Sequence, residues 1–193
     1  VLDANDLTLN GVKTTIKAVS GAQLKGVGGF VGVAAAAVTL ERVSIKLATS
    51  YFGSMDGTKN IKSWGIGGAI GIANGAVTLK GATVDATGAI LSGYCGIGGF
   101  IGAAYNTVDI LTDPELGDRP ETACAVTGLS NIWVTQLNLG TYDNDPNQGK
   151  TGAYIGSANL TKAITIQDAA DVKPTFTVGG KANEAKAFNV VSN

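Results

Sequence analysis

The chain has 193 residues, 45% of them hydrophobic and only 15% charged, with 28 glycines and a net charge of −1. That is long enough to bury a core, and too apolar and too poor in charge for disorder or a long helical bundle. With arginine only at Arg42 and Arg119, there is no concentrated basic surface for nucleic acid, and no run of about 18 apolar residues is present to span a bilayer.

In chain order, the first predicted strands are Leu7-Thr8-Leu9 and Val12 to Ile16. A three-strand unit follows: a Gly-rich strand from Val27 to Val31, then Val38-Thr39-Leu40, then Val43-Ser44-Ile45. A loop is predicted over Thr49 to Ser63. The unit then recurs as Ile66 to Ile70, Val77 to Leu79 and Ala82-Thr83-Val84. The third copy begins with GIGGFIG (Gly96 to Gly102), after GVGGFVG (Gly26 to Gly32) and GIGGAIG (Gly65 to Gly71), and continues with Val108-Asp109-Ile110. An insertion is expected over Thr112 to Thr127, after which Ile132-Trp133-Val134 resumes the third strand. A last loop, Thr141 to Lys150, leads to a worn copy, KTGAYIG (Lys150 to Gly156), and to Ile164-Thr165-Ile166.

Units of this size that recur mark a solenoid. Gly28, Gly67, Gly98 and Gly152 are separated by 39, 31 and 54 residues, so the excess over the shortest unit must loop out. Strands this short bury a face only if equivalents stack at about 4.8 Å. Alternation then predicts two inward aliphatic columns: Leu7, Val38, Val77, Val108 and Ile164, and Leu9, Leu40, Leu79, Ile110 and Ile166. The outward column is Thr8, Thr39, Thr78, Asp109 and Thr165. A flat Thr array suggests ice binding, but one column broken at Asp109 reads better as ordinary exposed strand positions. The expected fold is all-β: one right-handed parallel β-helix of about four to five coils. Residues 7–172 form its body, and 173–193, including the tail from Lys181, a cap or connector.

The phrases GGFVG (Gly28 to Gly32), GGAIG (Gly67 to Gly71) and GGFIG (Gly98 to Gly102), each followed by a short Val/Ile-rich strand pair, resemble the GLUG-type repeats of bacterial surface proteins. The resemblance covers about Gly26 to Asp168 and departs from the pattern at Ala153 and Tyr154. It implies a β-solenoid segment of a secreted or cell-surface, adhesin-like protein, and it brings no catalytic residues. The chain begins at Val1, without an initiator Met or a signal peptide, and is expected to be a mature or excised piece of something longer.

Parallel β-helices can host polysaccharide lyases and hydrolases. The chain has no histidine, and Glu41, Asp85 and Asp109 fall on different coils without carboxylate partners, so it is read as non-catalytic. The Gly-rich phrases do not fit a dinucleotide or P-loop motif, since Val31 takes the place of the third glycine and no helix follows. If Val27, Gly29 and Val31 face inward, Phe30, Ala69, Phe100 and Tyr154 form an outward column. Its aromatics Phe30, Phe100 and Tyr154 could stack on sugar rings, unless insertion loops cover them with Tyr51, Phe52 or Trp64. Asp143, Asp145 and Asn147 have the oxygen spacing of a calcium loop, but the glycine is one place late and Tyr154 stands where a bidentate Glu belongs, so a polar turn is the better reading. No other cofactor is implied. Cys95 and Cys124 are not a CxxC pair, and in an oxidising compartment they could close a loop of about 30 residues. The alternative is two buried thiols.

The functional expectation is an extracellular or cell-surface structural and adhesive module that binds a glycan or protein. A subunit that assembles end to end into a filament, and a polysaccharide-active enzyme, are the two alternatives.

Overall fold

The computed structural model describes residues 7–8, 25–48, 50–53, 64–118, 120–129, 131–134, 151–159, 161–167, 175–179 and 185–187. Among them every regular element is a strand. After β1 (Leu7–Thr8), a first pass of the chain makes β2 (Lys25–Gly28), β3 (Val31–Ala34), β4 (Val38–Glu41), β5 (Ser44–Lys46) and β6 (Tyr51–Gly53). The second makes β7 (Trp64–Gly67), β8 (Ile70–Ala73), β9 (Val77–Lys80), β10 (Thr83–Asp85) and β11 (Ile90–Gly93). The third makes β12 (Cys95–Gly98), β13 (Ile101–Ala104), β14 (Val108–Leu111), β15 (Ala125–Thr127) and β16 (Asn131–Val134). Last come β17 (Thr151–Gly152), β18 (Ile155–Ala158), β19 (Ile164–Ile166), β20 (Thr175–Gly179) and β21 (Ala185–Ala187).

These strands form five sheets; the three passes from β2 to β16 visit all five in the same order, and the last adds strands to the first, second, third and fifth. The first sheet is β2-β7-β12-β17, the second β3-β8-β13-β18 and the third β4-β9-β14-β19. β1-β5-β10-β15 make the fourth, and β6-β11-β16-β20 with β21 at its edge make the fifth. Pairing between named strands is parallel except for β20 with β21. The register follows the repeat: Gly28, Gly67, Gly98 and Gly152 are stacked partners. So are Val38, Val77, Val108 and Ile164, and likewise Leu40, Leu79, Ile110 and Ile166. Leu40, Val77, Leu79, Val108 and Ile110 are buried in one apolar core with Ile45, Val84 and Val126 of the fourth sheet. Ile164 and Ile166, in the last pass of the third sheet, are only partly buried.

The pass holds five strands where the sequence predicts three. The Gly-rich segment is two strands with a bend between them, at Gly29-Phe30, Gly68-Ala69 and Gly99-Phe100. The fifth sheet was missed: Tyr51–Gly53 lies within the predicted Thr49–Ser63 loop, and Ile132-Trp133-Val134 pairs with β11 instead of resuming the third strand. That role falls to Ala125–Thr127, which shortens the predicted insertion at its C-terminal end. Leu7 pairs with Ile45 in the fourth sheet, not with Val38. Val12 to Ile16 and Thr141 to Lys150 lie outside the described residues.

The bend explains the glycines. Strands of the first and second sheets fold back on each other: β2 packs on β8, β7 on β13 and β12 on β18. A Cβ on Gly67 would lie 2.0 Å from the Ile70 carbonyl oxygen, and one on Gly102 would lie 2.3 Å from the Ile66 nitrogen. Backbone thus meets backbone where any side chain would intervene. The bends stack as well, with Phe30 N donating to Ala69 O at 3.0 Å and Ala69 N to Phe100 O at 3.0 Å.

The insertion between β14 and β15 is tied to the stack by charge. Asp113 is fully buried and pairs with Arg42, and Lys80 Nζ stands 3.5 Å from both Asp113 Oδ1 and Glu41 Oε1. Arg42 Nη2 also donates to Pro120 O at 2.8 Å, while Asp113 and Thr122 exchange backbone hydrogen bonds of 2.8 and 2.9 Å. Arg42 has φ of +50°, and the next pass has Gly81 with φ of +59° at the equivalent corner. The arginine accepts a left-handed backbone, and its guanidinium reaches both strands of the insertion.

Candidate functional site

The predicted outward aromatic column is not on the surface. Phe100 and Tyr154 are buried, and their rings stack at 5.5 Å between centroids with 14° between planes. Phe30 is partly buried against the same core. The alternation that would turn them outward holds only in a continuous strand, and the bend at Gly99-Phe100 interrupts it. Burial raises the Tyr154 hydroxyl pKa, and the nearby Cys124 adds to the shift.

Cys95 and Cys124 are not joined to each other; of the two readings of the pair, the structure shows the two buried thiols. Cys95 packs with Trp64 and Tyr94, whereas Cys124 belongs to the main core. The Ala82 N–H donates to Cys124 Sγ at 3.2 Å, and the thiol donates to Leu111 O at 3.3 Å. Burial raises its pKa, more than these backbone hydrogen bonds lower it. Cys124 is therefore a structural thiol at the base of the insertion. Asp143, Asp145 and Asn147 lie outside the described residues. Among the described residues no three His, Cys, Asp or Glu side chains gather as a metal site, and no helix is long and apolar enough to cross a membrane.

What the fold does form is a groove between the start of the first-sheet strands and the end of the second-sheet strands. It has a volume of about 420 Å³, within the range of small-ligand sites, and is lined by Trp64, Cys95, Tyr105, Ser157, Asn159 and the small residues between them. Register creates it. Val33, Ile72, Ala103 and Ser157 are stacked partners in the second sheet. At Ile72 the side chain fills the space over Gly65, with its Cγ1 where a glycine Cβ would be 2.3 Å away. At Ala103 and Ser157 that volume is gone, so a hollow opens over Gly96.

Its walls are aromatic and polar. Lys25, Trp64 and Cys95 are stacked partners that open successive strands of the first sheet. The Lys25 ammonium lies 5.1 Å from the Trp64 ring centroid, and Tyr105 meets Trp64 edge-on, 6.3 Å between centroids and 63° between planes. Held on these sides, the indole Nε1 is buried with no hydrogen-bond partner among the described residues. An unpaired buried donor of this kind costs about 1–3 kcal/mol. Tyr105 is 40% exposed. Its hydroxyl pKa is raised, first by burial and then by the neighbouring Cys95. Asn159 Oδ1 accepts from the Thr161 N–H at 3.1 Å and from the Thr161 hydroxyl at 2.8 Å, which fixes the turn at the far rim.

No carboxylate, lysine or arginine is among the lining residues, and the chain has no histidine to serve as a base. The arrangement can stack on a ring and exchange neutral hydrogen bonds. Sequence reasoning considered Trp64 only as a cover for other aromatics and did not single out Tyr105. Trp64 opens β7 of the second pass and Tyr105 follows β13 of the third, so their meeting depends on the stacking of β12 on β7 and on the fold-back at Gly99-Phe100. No protein family matches the chain, and no curated protein or solved structure matches it.

Proposed function

We propose that this chain is a right-handed parallel β-helix of four to five coils, built from GLUG-like repeats, and that it serves as a non-catalytic structural and adhesive module of a secreted or cell-surface protein, with a glycan or protein as partner. The observation that carries this reading is the cyclic order of the five sheets, with equivalent residues of successive passes in parallel register. A chain stacked this way is a stiff stem, and its departures from repetition are where a partner is recognised. Right-handed winding follows from the handedness of parallel crossovers. The antiparallel β21, at the edge of the fifth sheet, supports a cap near the C-terminal end.

Glycan arrays and pull-downs with the intact chain test the adhesive role. A retained glycan or protein ligand supports it. Empty screens, with the chain serving only as a spacer in a longer fibre, refute it. Incubation with pectin and alginate, with and without calcium, tests the non-catalytic assignment, and new reducing ends or unsaturated-product absorbance would overturn it.

A further inference from the structure

We infer that the groove between Trp64, Tyr105 and Asn159 is a sugar-binding subsite that takes one pyranose unit of a neutral glycan. This rests on the adhesive reading above and gives it a place and a ligand chemistry. Tyr105 is exposed beside a hollow whose floor is Gly96, Ala103 and Ala104, so the C–H face of a flat ring can lie against the phenol with little in its way. Trp64 does not offer a face, since Lys25 lies over its ring and Cys95 is its stacked neighbour on the other side. It contributes an apolar wall, and its indole Nε1 is buried away from the open groove. A sugar brings hydroxyls as well as a C–H face, whereas an apolar peptide side chain would leave the polar rim of the groove without partners. Ser157 and Asn159 put a hydroxyl and an amide on the far rim for the remaining hydroxyls. Among the described residues the lining itself is neutral, and the nearby Lys25 ammonium is engaged with the Trp64 ring, which favours a neutral ligand.

The test uses the full 193-residue chain with Trp133→Phe, which leaves Trp64 as the one indole emitter. Cello-, xylo-, manno- and chitohexaose are titrated against its fluorescence and in parallel by calorimetry. At least one should shift Trp64 emission saturably. In calorimetry, Tyr105→Ala should weaken that binding roughly tenfold, and Tyr105→Phe, which keeps the stacking face, by less than about threefold. Trp64→Phe should weaken it roughly threefold through loss of wall area. Circular dichroism confirms that each variant is folded. If none of the four sugars binds the folded chain, or if the groove takes a peptide in their place, the inference is wrong. Sugar binding that Tyr105→Ala leaves unchanged also overturns it, while the adhesive reading stands. That reading fails separately, when arrays and pull-downs are both empty.

Discussion

Replacing Phe100 with alanine tests the bend at Gly99-Phe100 directly. On the outside of a continuous strand the change would be nearly neutral, within about 0.5 kcal/mol. In the structure the side chain is fully buried and stacked on Tyr154 at 5.5 Å. Core Phe-to-Ala changes cost about 3–5 kcal/mol, because lost transfer energy adds to the cavity left behind. For a chain of this size each kcal/mol moves Tm by about 2–4 °C, so a fall of roughly 6–20 °C is expected. Thermal unfolding followed by circular dichroism measures it. Phe30→Ala is the internal gauge. Phe30 is partly buried, so its loss should cost less. A Phe100→Ala Tm within about 1.5 °C of the parent would refute the inward bend and restore the exposed column.

Gly67→Ala should abolish folding or cost more than about 4 kcal/mol, since the new Cβ would sit 2.0 Å from the Ile70 carbonyl oxygen. Gly117→Ala, with nothing near its Cβ but φ of +61°, should cost only about 1 kcal/mol; equal effects in denaturant melts would contradict the close approach of the two sheets. Arg42→Ala should cost about 3 kcal/mol, the lower end for breaking a buried pair, because Lys80 still faces Asp113. It should also speed proteolysis near Leu116, which is 70% exposed, and unchanged cleavage would show that the insertion is held by something else. Denatured without reductant and treated with iodoacetamide, the chain should gain two adducts by intact mass, and none would mean that Cys95 and Cys124 are bonded after all.

Much of the stack is legible in the sequence because its register is written twice. Gly28, Gly67, Gly98 and Gly152 recur in one phrase, and Val38, Val77, Val108 and Ile164 in another, and the structure pairs both sets rung for rung. The fifth sheet had no such mark. Tyr51-Phe52-Gly53, Ile90-Leu91-Ser92 and Asn131-Ile132-Trp133 pair in register yet share no phrase, since parallel strands need matched backbones more than matched side chains.

The amino-acid sequence by itself determined which positions repeat, and with them the strand register and the aliphatic columns, because identical short strands can bury their faces only on one another. The direction of Phe100 and Tyr154, the separate surroundings of Cys95 and Cys124, and the groove at Trp64 and Tyr105 were decided by tertiary structure. Each depends on where the chain bends between adjacent sheets, and a bend resets the inside-outside alternation that a reader of the sequence must assume to be continuous.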